Sequence, residues 1–328
     1  MSTPAPAPAA APAAPPGRAA PARDLPALPA DALEAILRTA FAEDAPYGDV
    51  TSQVLLPATA RAEAFLVARE AGIFSGGEVF AAAMLRQDPH ALVRLDAADG
   101  DSFAAGDVLA RVQGNARAVL SAERIALNLC QRMSAIATTT ARYVALASGT
   151  RARVVDTRKT TPGLRILERH AVRCGGGHNH RFSLSDAVLA KDNHLAVLTG
   201  GDETRLGPAL AGVRAALPHT THFEVEVDRI SQIEPVLTAG VDTIMLDNFT
   251  LEQLREGVAL VAGRALVEAS GNVSLDTVAA IAGTGVDIIS VGALTHSVRA
   301  LDLGLDMSIA AAGPAAGAGA GPAGGARP

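Results

Sequence analysis

Between residues 153 and 292 the chain alternates short apolar runs with helical stretches, and this alternation constrains the fold more than any other feature. The runs are RVVDT (153–157), AVLAKD (187–192), HFEVEVD (222–228), TIMLDN (243–248), LVEASG (266–271) and DIISVG (287–292). Helix-patterned segments separate most of them, such as TPGLRILERHAV and LEQLREGVAL. Strand followed by helix, repeated, means βα units and a parallel sheet. Six or so units point to a barrel or incomplete barrel rather than an open doubly wound sheet. No GxGxxG follows the first run, so nothing supports a dinucleotide fold.

The chain ahead of this region is patterned differently. In DALEAILRTAFAE (31–43), Leu33, Ile36, Leu37, Ala40 and Phe41 share a helical face, and Asp31 and Glu34 are spaced as a capping box. ARAEAFLVARE (60–70) and residues 92–114 alternate and are punctuated by Gly and Asp, as antiparallel strands are. A helical stretch near 76–86 lies between them, and a long helical pattern runs from about 115.

The ends are different again. Residues 1–23 are nearly all Ala and Pro, and 311–328 are Ala, Gly and Pro. Both are expected to be disordered, because they offer nothing to bury. Proline recurs too often in the first for a secretory signal. The 28 Lys+Arg against 34 Asp+Glu give a net charge of −6, which argues against nucleic acid as the main partner. No apolar run approaches the length of a membrane span. Two cysteines, Cys130 and Cys174, are too few for a disulfide framework and fit a reducing, cytoplasmic setting.

In a βα barrel the active site forms at the carboxyl ends of the strands. Those ends carry Arg158 and Lys159, Lys191, Glu226, Asp247, Ser270-Gly271-Asn272 and Gly292. Glu224, Glu226 and Asp228 alternate onto one face of their run, although a parallel strand buried on both faces should be almost wholly apolar. Carboxylates inside a barrel require cations, hydroxyls or a metal as partners. Arg158, Lys159 and Lys191, with His180 and Arg181 delivered by the Gly-rich run 175–181, make a cationic pocket for a ligand with several negative groups. Arg165 reads as an ordinary solvated cation. A flexible linker remains open for the glycine run, and His178 and His180 lack the neighbouring pattern of a zinc site. SGNVSLDT (270–277) and SVGALT (290–295) place Ser and Gly before helix starts, where backbone N–H groups hold phosphate.

Several runs resemble the quinolinate phosphoribosyltransferase family: DTRKTTPGLR (156–165), GGGHNHRFSLSDAVLAKDNH (175–194), FEVEVD (223–228), DTIMLDNF (242–249), EASGN (268–272) and DIISVGALTHSVRALDLGLDM (287–307). EDAPYGDVTS (43–52) and SAERIALNLCQRMSAIAT (121–138) do so as well, and the likeness is collinear over about residues 30–308. The resemblance implies an N-terminal α/β sandwich domain over 28–127, completed by 297–310. It implies an incomplete α/β barrel over 128–296, with tails at 1–27 and 311–328, in a dimer with shared active sites. The implied reaction joins quinolinate and phosphoribosyl pyrophosphate into nicotinate mononucleotide, pyrophosphate and CO2, with Mg2+ required.

Residue by residue, Arg158, His180, Arg181 and Lys191 match the quinolinate carboxylate pocket. Lys159, beside Thr157, matches the position shared with pyrophosphate. Arg124 matches an arginine that reaches into the partner subunit's site. Glu226 and Asp247 match the carboxylates that handle the ribose hydroxyls and the metal, and Lys159, Glu226 and Asp247 are the expected catalytic set. Ser270, Gly271 and Asn272, with Ser290, Val291 and Gly292, match the loops on the 5′-phosphate, Asn272 standing where many members carry Gly. Two other functions stay in view. A related phosphoribosyltransferase for another acceptor would not need the full Arg124, Arg158, Arg181 and Lys191 set. A non-catalytic barrel sensing a phosphorylated metabolite would not need Glu226 and Asp247.

Overall fold

The structure is a computed structural model that describes residues 25–310; both low-complexity tails lie outside the described residues. Its first half is built on a four-stranded antiparallel sheet, ordered Leu303–Ala310, Arg61–Ala68, Val108–Asn115, Leu92–Leu95. The chain's last described strand thus lies beside one of its first. Helix Gly77–Gln87 and the 31-residue helix Ala116–Leu146 pack together beneath it. The long helix is rich in Ala, Leu and Arg, which lose little freedom in a helix. Asn115 caps it, its side chain accepting from the N–H groups of Arg117 and Ala118. A broad stripe from Ala116 to Tyr143 is buried, because the helix touches both the antiparallel sheet and the barrel.

The first helix, Ala30–Asp44, buries Leu33, Leu37 and Phe41, but the Asp31–Glu34 capping box does not form. Pro29 occupies the cap position with no side-chain bond, so the helix begins a residue ahead of Asp31. Glu34 pairs with Arg86 instead. Proline's fixed φ favours helix entry, and that preference outweighs the cap offered by an aspartate already inside the first turn.

The second half is a six-stranded parallel sheet in the order Arg153–Val155, Ile288–Ser290, Leu266–Ser270, Thr243–Asp247, Phe223–Val227, Val188–Ala190. The first strand pairs with the last, so the opening of the barrel lies between the first and second. Among the described residues, an isolated bridge from Val155 to His178 spans part of that seam. The Gly-rich run is a packing device here, not a flexible linker. A Cβ at Gly175 would sit 2.3 Å from the Ala137 carbonyl oxygen, and one at Gly177 would sit 2.7 Å from Thr140 Cγ2. Glycine lets the segment lie directly against the long helix. Phe223, Val225, Ile244, Leu246, Val267 and Ile289 fill the buried sheet as βα packing demands.

Candidate active site

A cavity of about 760 Å3 opens at the carboxyl ends of the barrel strands. Thr157, Arg158, Lys159, His180, Arg181, Lys191, Glu226, Asp247, Ser270, Gly271, Asn272, Ser290 and Gly292 all line it. Two expected residues do not. Val291 is buried behind its loop, and Arg124 is exposed on the long helix, outside the cavity of its own chain. Arg165 also stays out of the lining, stacking over Phe182 and donating from Nη1 to the Phe182 carbonyl at 2.9 Å.

Cations form one wall. Arg158 Nε and Arg181 Nε are both buried without a hydrogen-bond partner, and Arg181 spends Nη1 on the Ala187 carbonyl at 2.8 Å. Burial, and then the neighbouring charge of Arg158, pull the Arg181 guanidinium below its ordinary range. Two guanidiniums kept close with unused donors define a place for an anion. Lys191 completes the wall and is ion-paired with Glu226.

His180 forms part of the floor. Its Nε2 lies 3.1 Å from Glu224 Oε2 and 3.7 Å from Glu268 Oε1. Burial opposes a charge on this imidazole, but the bond it donates to Glu224 and the charges of Glu268 and Glu224 outweigh it and raise its pKa. Burial and the adjacent Glu224 charge push the Glu268 carboxyl up to about 8. The loop bearing His180 is fastened from below by Asp156, which accepts from the His180 N–H at 2.7 Å and from Asn179 Nδ2 at 2.6 Å.

The opposite wall is backbone. Gly271 has φ +92°, and a Cβ there would fall 2.2 Å from Asn248 Oδ1. Asn272 has φ 50° and Asn248 φ 58°, both in the left-handed region that Asn tolerates better than most side chains. Asn272 Nδ2 donates to Asn248 Oδ1 at 3.2 Å, and Asn248 Nδ2 donates to Asp247 Oδ2 at 2.7 Å. These bonds tie the 270–272 turn to the neighbouring strand end. Gly292 leaves room for Lys159 and His296, whose side chains lie 3.1 and 2.9 Å from where its Cβ would be.

The three acids read as one face separate in depth. Glu224 is buried in the barrel and Glu226 stands at the cavity wall. Asp228 lies past the strand end, bonded to Arg229 Nε at 3.1 Å. It lines an adjoining cavity of about 470 Å3 that shares Glu226, Asp247 and Asn248 with the larger one. His178 and His180 diverge: His178 Nδ1 meets Arg173 at 3.0 Å, while His180 enters the barrel. Asp156, Asn248, Glu268 and His296 escaped the sequence reading. Glu268 was findable, since an acid inside LVEAS breaks the apolar rule for a buried parallel strand just as Glu224 does. Asp156 carried the same signal in RVVDT.

As donors for a metal, Glu226 and Asp247 are hard oxygen ligands facing one cavity. The pair fits a magnesium ion that takes its other ligands from substrate oxygens and water, as this ion ordinarily does.

Known proteins with the same pattern make the assignment. A family model described as the N-terminal domain of quinolinate phosphoribosyl transferase matches residues 49–134, and the one for its C-terminal domain matches 136–306. A nicotinate-nucleotide pyrophosphorylase [carboxylating] of Mycobacterium leprae is 43% identical over 288 residues, covering 84% of this chain and 98% of that protein. A probable enzyme of the same name from Bacillus subtilis is 40% identical over 277 residues, covering 84% of this chain and 94% of that one. The crystal structure of NadC from Streptococcus pyogenes superposes with a TM-score of 0.82 at 38% identity, covering 87% of this chain and all 100% of that one. An open α/β barrel with an antiparallel companion sheet is thus the shared architecture, and the chain belongs to the quinolinate phosphoribosyltransferase family.

Proposed function

We propose that this chain transfers the 5-phosphoribosyl group of phosphoribosyl pyrophosphate to the ring nitrogen of quinolinate, giving nicotinate mononucleotide, pyrophosphate and CO2. The observation that carries this reading is the pair of buried, unpartnered guanidinium nitrogens, Arg158 Nε and Arg181 Nε, in one cavity with Lys191 and His180. Such a wall matches an acceptor with two carboxylates. The turns at 270–272 and 290–292 hold the sugar phosphate across from it, with the ring nitrogen aimed at the anomeric carbon.

Transfer builds positive charge on the ribose while negative charge leaves with pyrophosphate. Glu226 and Asp247 face the ribose and stabilise that charge, and Lys159, exposed at the rim, meets the leaving group. Magnesium, held by Glu226 and Asp247 with substrate oxygens, would neutralise pyrophosphate charge. The quaternised ring then accepts the electrons left by CO2. Arg124 lies outside its own chain's cavity, and in this reading it serves the site of a second copy in a homodimer. Both cysteines are buried thiols outside any disulfide, which suits work in a reducing cytoplasm. Among the described residues no helix is long and apolar enough to cross a membrane.

The test is a product assay with quinolinate, nicotinate or nicotinamide, each supplied with phosphoribosyl pyrophosphate and Mg2+. Nicotinate mononucleotide should form from quinolinate alone. Comparable turnover of nicotinate would defeat the reading, because a monocarboxylate leaves the cation wall underneutralised.

A further inference from the structure

The long helix Ala116–Leu146 carries Arg132, whose guanidinium lies behind the catalytic cavity rather than in it. Glu168, on helix Arg165–Cys174, is 1% exposed, and a buried carboxylate requires a partner. Arg132 supplies one, its Nε donating to Glu168 Oε1 at 2.7 Å. A lysine would balance that charge as well. The arginine does more, because its Nη2 also donates to Thr161 Oγ1 at 2.8 Å and to the Thr295 carbonyl at 2.9 Å. Glu168 Oε2 in turn accepts from the Thr161 N–H at 3.2 Å. An ammonium cannot hold three such groups in the fixed plane of a guanidinium. None of these four residues lines the cavity, so contact with substrate does not explain the cluster.

The two threonines belong to loops that leave neighbouring strands. Thr161 follows Arg158 and Lys159 in the segment after strand Arg153–Val155, and Thr295 follows the 290–292 turn after strand Ile288–Ser290. These strands pair up to Val155 and Ser290, and the Val291 N–H still reaches the Val155 carbonyl at 3.0 Å. Farther out the ladder no longer sets the spacing of the two loops. Thr295 does, its Oγ1 donating to the Lys159 carbonyl at 2.8 Å. The Lys159 stem also rests on Gly292, where a Cβ would fall 3.1 Å from Lys159 Cδ. The sugar in the proposed reaction carries phosphate at one end and pyrophosphate at the other. The separation of these two loops must therefore match its length.

We propose that Arg132 is a positioning residue for the leaving group. Bonded to Thr161 and to Thr295, it fixes Lys159 against the 290–292 turn, and the Lys159 ammonium then meets pyrophosphate where its charge develops. A cation displaced by about an ångström loses much of its hold on a transition state. The acceptor wall is fastened separately, Arg181 on the Ala187 carbonyl and Lys191 on Glu226. Loosening Arg132 therefore falls on the pyrophosphate end and spares quinolinate. This inference rests on the quinolinate reading and adds to it a residue outside the cavity.

The experiment measures kcat, the KM for quinolinate and inhibition by added pyrophosphate in the full chain with Arg132→Lys or Thr295→Val. Lysine keeps a cation beside Glu168 but cannot bond both loops, and valine removes one hydroxyl at nearly constant shape. In each variant kcat should fall about tenfold or more and pyrophosphate should inhibit at least about fivefold more weakly, while the KM for quinolinate moves less than about twofold. Added to Lys159→Ala, the Thr295→Val change should cost less than about twofold further, because it acts through Lys159. Unchanged kcat and pyrophosphate inhibition, equal weakening of both ligands, or a full further loss in the Lys159→Ala background would each overturn the assignment. Where the two variants disagree, or Arg132→Lys does not fold, Thr295→Val decides, since it leaves Glu168 paired and removes the bond to Lys159 alone. Wild-type protein that releases no pyrophosphate with quinolinate defeats the functional reading itself, a result distinct from these.

Discussion

Asp99 Oδ2 and His170 Nε2 lie 2.7 Å apart and join the antiparallel half of the molecule to a helix of the barrel, Arg165–Cys174. Asp99 also accepts from the N–H groups of Gly76 and Gly77, at the start of helix Gly77–Gln87. Burial opposes both charges. The bond to Asp99, together with Cys174, nevertheless raises His170 from 6.5 to about 10, and the His170 and glycine bonds hold Asp99 below its ordinary value.

This pair should make stability depend on pH in a definite direction. A raised folded-state pKa stabilises fully below the unfolded value of 6.5, and the contribution is lost as pH climbs toward about 10. Replacing His170 by Gln should cost about 3 kcal/mol at pH 6, since it strands a buried carboxylate. The deficit should shrink steadily toward pH 10. Urea titrations of both proteins at the two pH values check this, and an equal deficit at both would refute the charged pair.

Gly271→Ala addresses the phosphate turn. Its φ of +92° and the 2.2 Å approach to Asn248 Oδ1 leave no room for a methyl group. The turn must shift, at a cost of about 1–3 kcal/mol. The KM for phosphoribosyl pyrophosphate should rise about tenfold or more with little change in that for quinolinate. Steady-state kinetics with each substrate varied in turn will show whether the effect sorts this way.

Arg181→Lys should sort oppositely. Lysine keeps the charge but loses the planar fork, so the KM for quinolinate should rise at least about tenfold while that for phosphoribosyl pyrophosphate moves less than about threefold. Equal effects on both would place Arg181 outside the acceptor wall.

Arg124 supplies a test of assembly. If it serves a second copy, Arg124→Ala and Lys191→Ala should each be inactive alone. Mixed with subunit exchange, about half the dimers would be hybrids with one intact site, restoring roughly a quarter of wild-type activity. A mixture that stays inactive after demonstrated exchange would return Arg124 to its own chain's pocket.

All six barrel strands were legible in the sequence, because a parallel strand covered on both faces must be an apolar run and its crossover must be a helix. The position of the opening was not. It lies between Val155 and Val188, where the chain spends its glycines on hugging the long helix, and no local pattern announces a contact with Ala137 and Thr140. The Asp31–Glu34 spacing misled for a related reason: a cap is read from offsets, and Pro29 moved the helix start by one residue.

The sequence by itself determined which residues stand at strand ends, since period and strand length place Arg158, Lys191, Glu226 and Asp247 at one level. Tertiary structure alone decided which of them touch. Lys191 meets Glu226, Asn248 holds both Asp247 and Asn272, and His180 turns down to Glu224 and Glu268 instead of up toward a metal. Periodicity records the face on which a side chain emerges. Its partners depend on how six strands close around a common axis, and that closure is set by packing between residues a hundred or more positions apart, as with Val155 and Ser290.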